Sequence, residues 1–134
     1  MSHDLGFFSI KQGATTSEVR TAYLSCNEGK EVAWPNTSDF SSFILLLKQK
    51  YPNLNSLSDD QVDESPWSSG FIEGHGYIIV SIAFSRASEV GNFIWSLLEN
   101  HKLIVFDPQV DKAYLGANEL LEIKEQKMWW QFWK

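Results

Sequence analysis

The chain has little cysteine and no long hydrophobic run, and each shortage argues against a class of protein. Of its 134 residues only Cys26 is a cysteine, so no disulfide can form within the chain. Free thiols are typical of reducing compartments. The sequence has no stretch of about 18 apolar residues, the minimum for a transmembrane helix. Its first residues also lack the basic and then apolar pattern of a secretory signal. We therefore expect a cytoplasmic protein with no membrane span.

Residues that carry enzymatic chemistry are also scarce. The three histidines, His3, His75 and His101, are far apart and show no metal-binding spacing. The sequence contains no G-x-S-x-G nucleophile elbow and no glycine-rich phosphate loop. Cys26 falls on the apolar stripe of a predicted helix, which favours a core position over a nucleophile. Gly74-His75-Gly76 is typical of a turn. We predict a protein that is not an enzyme and that binds no metal or cofactor.

Positive charge is missing from one part of the chain. Positions 51–85 contain no lysine or arginine, although the chain as a whole has a net charge of −6. Residues 53–65 show no hydrophobic period and predict a loop. This loop is either simply solvated or a partner-binding edge, whose negative field would attract basic proteins and repel nucleic acid. The acidic residues of such an edge are Asp59, Asp60, Asp63 and Glu64.

A tryptophan follows this loop in the sequence Ser65-Pro66-Trp67. A tryptophan held behind a proline at a loop-to-strand junction can plug the core. On the surface it would instead anchor a partner, because tryptophan is enriched among interface hot spots. We include Trp67 in the candidate partner-binding site and keep the core interpretation open.

The longest apolar run, residues 77–84, predicts a strand that is apolar on both faces and therefore covered on both sides. Side chains alternate along a strand, so one face is expected to carry Ile78, Val80, Ile82 and Phe84. An amphipathic helix over residues 90–98 and an apolar run at 103–106 follow. This succession of strand, helix and strand predicts a crossover unit with parallel strands.

The rest of the chain adds elements around this unit. Residues 5–10 predict a first strand, and capping residues near Thr15 and Thr37 predict two helices. A hairpin at 71–79 and a short last strand at 113–115 complete the set. The predicted fold is α+β or α/β, in the order β-α-α-β-β-α-β-β, with helices packed on a mixed sheet. We predict a single domain over residues 1–117 and a helical aromatic tail over 118–134.

The tail has three competing interpretations. It could dock on the core of its own domain, form an exposed patch for a partner or a second copy, or anchor at a membrane interface. If the tail forms a patch for a second copy of the chain, the resulting homodimer would use Trp129, Trp130, Phe132 and Trp133.

Four motifs together resemble a set of small bacterial proteins. They are Asp4-Leu5-Gly6-Phe7-Phe8, Ser65-Pro66-Trp67, a strand ending in Phe84-Ser85, and the segment 100–109 that ends in Phe106-Asp107-Pro108-Gln109. The corresponding pattern in the set runs DL-F-W, SPW and HGLV-YDPQ. This chain departs from it at Lys102, where the set has glycine, and at Phe8-Ser9, where an aromatic residue and tryptophan are usual. The resemblance spans residues 4 to about 115.

Many proteins of that set look like immunity proteins encoded beside secreted polymorphic toxins. The resemblance thus implies a non-catalytic protein that neutralises a cognate toxin by direct binding. Asp107, Pro108 and Gln109 form a further candidate motif site, or else cap a strand end through their side chains. Two alternatives stay open. One is a ligand-binding module or small enzyme with a pocket near Trp67, His75 and Asp107, and the other is a homo-oligomer built through the tail.

Overall fold

The computed structural model describes residues 2–115, which form one α+β domain and confirm the predicted fold class. The predicted helical tail over residues 118–134, with its four aromatic side chains, lies outside the described residues. The strands are β1 (Ser2–Ser9), β2 (Ile72–Gly74), β3 (Tyr77–Ala83), β4 (Leu103–Asp107) and β5 (Lys112–Leu115). The helices are α1 (Thr16–Asn27), α2 (Ser38–Lys50), the short α3 (Asp59–Val62) and α4 (Ala87–Leu98).

The strands form a single sheet in the order β2-β3-β1-β4-β5, and each neighbouring pair is antiparallel. The prediction of a mixed sheet is therefore wrong, because no two neighbouring strands within residues 2–115 are parallel. The parallel relation expected for β3 and β4 does exist, because both run antiparallel to β1. The first strand of the chain has inserted between the two strands of the crossover unit and pairs with both.

Both faces of the sheet are buried, which explains the apolar runs in its central strands. On one face, α2 and α4 cover Phe7, Ile78, Val80, Ile82 and Val105. On the other face, α1 and the segment around Trp34 cover Phe8, Tyr77, Ile79, Ile104 and Phe106. Cys26 belongs to this second cluster, is 1% exposed, and so occupies the predicted core position.

Helices α1 and α2 begin where their capping residues predict. Thr15 Oγ1 accepts a hydrogen bond from the Glu18 amide at 3.2 Å, and Thr37 Oγ1 accepts one from the Phe40 amide at 3.1 Å. These bonds satisfy amides at the start of α1 and α2 that have no partner within the helix. No helix within residues 2–115 has the length and apolar content needed to cross a bilayer.

The turn between β2 and β3 confirms the predicted hairpin. Gly76 has a φ of +82°, and a side chain at this position would collide with the Pro35 carbonyl. The turn is tied to the rest of the fold by two bonds. The His75 ring nitrogen Nδ1 lies 2.8 Å from the Trp34 carbonyl oxygen, and the Ser9 amide donates to the Gly76 carbonyl at 2.8 Å. Glycine is needed here for both its dihedral angle and its size.

Strand β3 ends one residue earlier than the hydrophobic pattern predicts. Ala83 is its last residue, and Phe84 opens a 3-10 turn that runs over Phe84–Arg86 into α4. The turn breaks the alternation that would have placed Phe84 beside Ile82 in the core. As a result Phe84 is 50% exposed, whereas Ile82 is 2% exposed.

Trp67 is packed in the core on the side of the sheet that α2 and α4 cover. It is 3% exposed, and its indole Nε1 donates to the Tyr51 carbonyl at 3.0 Å. Its ring meets Phe71 and Tyr51 edge-on, with centroids 5.0 and 6.0 Å away. The core interpretation of Trp67 is confirmed.

We predict that Trp67→Ala lowers the free energy of unfolding by about 3–5 kcal/mol, because it removes a large buried ring and leaves a cavity. Trp67→Phe keeps most of the ring but leaves the Tyr51 carbonyl unpaired, and should cost about 1–2 kcal/mol. Urea unfolding followed by circular dichroism measures both. Equal losses for the two variants would contradict a packing role for the ring.

Candidate functional site

The predicted acidic edge is partly helical. Its sequence Ser58-x-x-Gln61 starts the short helix α3, where Gln61 Oε1 accepts a hydrogen bond from the Ser58 amide at 3.2 Å. We call residues 59–64 the acidic segment. All four of its predicted partner-binding acids are exposed: Asp59, Asp60, Asp63 and Glu64.

The charges of the acidic segment are not neutralised. Its four carboxylates form no ion pair with any residue in the range 2–115, whereas most lysines and arginines of that range are already paired with other acids. The ion pairs are Lys11–Glu18, Arg20–Asp111, Lys30–Glu28, Lys48–Glu73 and Arg86–Glu89. Four uncompensated negative charges of the described domain therefore lie within one short, solvated stretch.

The chain directly after the acidic segment is bonded to the last residues of β3. The Ala83 amide donates to the Pro66 carbonyl, and the Ser68 amide donates to the Ser81 carbonyl. Trp67 forms an isolated antiparallel bridge with Ile82 between these two bonds. The 3-10 turn that follows Ala83 bonds the acidic segment directly, because Arg86 Nη1 donates to the Glu64 carbonyl at 2.9 Å. The acidic segment and the 3-10 turn therefore form one surface.

This surface also carries exposed apolar side chains that the sequence analysis did not assign to a site. Phe84 is 50% exposed and Val62 is 37% exposed. The pattern predicted Phe84 as a core residue, and only the early end of β3 reveals it. The signal for this change is Ser85, the polar residue that directly follows the apolar run and lies in the turn.

Arg86 holds the surface together. Its Nη1 donates to the Glu64 carbonyl at 2.9 Å, while Nε and Nη2 bind the two Glu89 carboxylate oxygens at 2.7 and 2.8 Å. Tyr51 Oη also donates to Glu89 Oε2 at 2.9 Å. The bonds from Arg86 and Tyr51 lower the pKa of Glu89 to about 2. This network joins the acidic segment, α2 and α4.

Trp67 lies beneath this surface and not on it. Because only 3% of it is exposed, its side chain cannot insert into a partner while the core stays packed. Our assignment of Trp67 to the partner-binding residues is therefore corrected: it supports the surface from below through its bridge to Ile82.

The alternative pocket near Trp67, His75 and Asp107 is not formed. Trp67 bridges Ile82 near one end of β3, whereas His75 precedes Tyr77 at the other end. At about 3.3 Å per residue, the five steps from Tyr77 to Ile82 span about 17 Å. Asp107 lies 3.4 Å from His3, at the end of β1 remote from His75. The three side chains do not converge on one ligand.

Asp107, Pro108 and Gln109 close the end of the sheet. Asp107 Oδ1 accepts a hydrogen bond from the Gln109 amide at 3.0 Å, which makes a tight turn after β4. The register of β1 with β4 would place Pro108 opposite Asp4, but proline has no amide hydrogen to donate. With its amide group oriented to satisfy its neighbours, the Gln109 side chain instead bonds the Asp4 carbonyl at 3.1 Å and the Asp4 amide at 3.3 Å. These contacts support the strand-capping interpretation of the motif.

A cleft of about 290 Å³ lies beside the hairpin turn, and its lining includes Cys26, Glu31, His75 and Tyr77. Burial raises the pKa of the Cys26 thiol, so the reactive thiolate is disfavoured. Within residues 2–115, no three His, Cys, Asp or Glu side chains are grouped to hold a metal ion.

Comparison with known proteins gives one partial likeness. A probable G-protein coupled receptor of Caenorhabditis elegans is 30% identical to this chain over 79 residues, which make up 57% of the chain and 16% of the receptor. The chain thus spans about a sixth of the length of that curated relative. No family model matches the chain, and no solved structure matches it.

We predict that Glu89 makes stability depend on pH below neutrality. Its folded pKa of about 2 lies below its ordinary value of 4.5, so its ion pair stabilises the fold above about pH 4.5 and is lost as the pH falls toward 2. Glu89→Gln should therefore lower the urea midpoint at pH 7, and the difference from the wild type should shrink steadily between pH 4.5 and 2. A difference that is the same at pH 7 and pH 2.5 would contradict this assignment.

Proposed function

We propose that this chain is an immunity protein that neutralises a cognate toxin by binding it through the acidic segment. The observation that carries the proposal is the group of four exposed, unpaired carboxylates within residues 59–64. Four carboxylates this close together create a strong local negative field. Such a field speeds the encounter with an oppositely charged protein and rejects partners of the same charge.

The resemblance to immunity proteins supports the proposal. The side chains of two motifs that carry this resemblance have structural roles and do not form the acidic surface. Trp67 of the Ser65-Pro66-Trp67 motif fills the core, and Asp107 and Gln109 close the sheet. These motifs account for a shared fold. Recognition of one particular toxin then falls to exposed residues, and the acidic segment is the part of the described surface with the most uncompensated charge.

The charge defines the class of toxin. A carboxylate-rich surface fits a basic site such as the phosphate-binding groove of a nuclease. That groove binds several negatively charged phosphates, and the acidic segment presents several negatively charged carboxylates. The chain would block that groove as a mimic of the charge of the nucleic acid. This role requires the two proteins to meet in the cytoplasm of the producing cell, and the lone free cysteine suits that reducing compartment.

The receptor likeness carries no function across. The matched stretch is a small part of the receptor, and the two proteins share only 30% of residues within it.

We predict that neutralising the acidic segment, with Asp59→Asn, Asp60→Asn, Asp63→Asn and Glu64→Gln together, slows association with the toxin domain encoded beside the gene. The association rate constant should fall about tenfold or more at low ionic strength, because steering by long-range charge is lost. Stopped-flow or surface binding kinetics measures this. At about 1 M salt, where the Debye length is about 3 Å, the two proteins should associate at similar rates.

A matched control removes the same number of charges elsewhere. Glu28, Glu31, Glu73 and Glu99 are exposed and lie outside the acidic segment, so their replacement by glutamine changes the net charge equally. If both variants slow association to the same extent, net charge alone is responsible and the acidic segment is not the binding site.

A further inference from the structure

The exposed phenyl ring of Phe84 is placed where a binding anchor would be. It lies in the turn that follows β3, between Ala83, whose amide donates to the Pro66 carbonyl, and Arg86, whose guanidinium donates to the Glu64 carbonyl. The turn that carries the ring therefore lies beside the end of the acidic segment. Val62, on the same segment, adds a second exposed apolar side chain. An apolar centre with a charged border is the usual arrangement of a protein interface, in which a desolvated core is surrounded by a polar rim.

Hydrogen bonds on both sides fix the backbone that carries the Phe84 ring. The turn Phe84–Arg86 is fixed before Phe84 by the Ala83 amide, which donates to the Pro66 carbonyl at 2.8 Å. It is fixed after Phe84 by Arg86, whose guanidinium bonds both Glu64 and Glu89. A side chain presented on a fixed backbone loses little conformational freedom on binding, so more of its burial is available as affinity.

We propose that Phe84 is the anchor of the toxin-binding surface and inserts into an apolar pocket whose rim is lined by lysine or arginine. This inference rests on the proposed function and names the residue that makes its complex long-lived. Charge complementarity determines the occupant. A second copy of this chain would bring its own four carboxylates against those of the first, whereas a basic rim would pair with them.

The two parts of the surface then have separate kinetic roles. The acidic segment acts at a distance and sets how fast the complex forms. Phe84 acts only in contact and sets how slowly the complex dissociates, because hot-spot aromatic residues are desolvated within the interface.

The test uses the full chain and a catalytically inactive form of the toxin domain encoded beside the gene. We expect Phe84→Ala to raise the Kd about 30-fold or more, the usual effect of losing an aromatic hot spot, through faster dissociation and with an unchanged salt dependence. Phe84→Tyr should keep most of the affinity. Trp95→Ala is the matched control, because Trp95 is 51% exposed but lies on α4 away from the acidic segment. Urea unfolding of each variant checks that the fold is intact.

The outcomes separate the two proposals. If Phe84→Ala binds within about twofold of the wild type while the neutralised acidic segment associates slowly, Phe84 is not the anchor and the proposed function stands. If Trp95→Ala weakens binding as much as Phe84→Ala, the specific role of Phe84 is overturned. If the wild-type chain does not bind the toxin domain at all, the proposed function fails and the anchor role fails with it.

Discussion

The pairing of β1 with a strand on each side is the constraint on which the rest of the structure depends. β1 bonds both β3 and β4, and helices cover both faces of the sheet, so Phe7 and Phe8 point into opposite cores with no exposed surface. The other edge of β3, near its end, pairs with the chain segment that contains Trp67. The acidic segment and the Phe84 turn are neighbours because this pairing aligns residues 66–68 with residues 81–83 and because Arg86 bonds the Glu64 carbonyl.

The residues that stabilise the fold differ from those that form the acidic surface. Trp67 packs the core, and Asp107 and Gln109 close the end of the sheet. The acidic segment adds little packing of its own, and its side chains face water. Arg86 links the two levels, because it is paired with Glu89 on α4 and bonds the backbone of the acidic segment at Glu64. A buried tryptophan and a partly exposed arginine thus both connect the charged surface to the core elements.

Much of the fold could be predicted from the sequence, since side-chain periodicity reports directly on burial. The two-faced apolar run at 77–84 indicated a central strand, and the caps at Thr15 and Thr37 located two helices. Strand order could not be predicted, because strands pair through backbone groups that are the same in every residue. The side chains of residues 2–9 do not indicate that this strand inserts between β3 and β4. The acidic residues were predicted from composition alone. The exposure of Phe84 was missed because a hydrophobic pattern cannot show where a strand turns into a helix.

We propose that a basic partner covers the acidic segment and the Phe84 turn. The sharpest test is amide hydrogen exchange of the chain, alone and with the toxin domain encoded beside its gene. We expect protection on binding at residues 59–66 and 84–86, while the surface of α1 and the cleft beside His75 exchange at unchanged rates. Protection confined to α1 or to that cleft, with 59–66 exchanging as in the free chain, would contradict it.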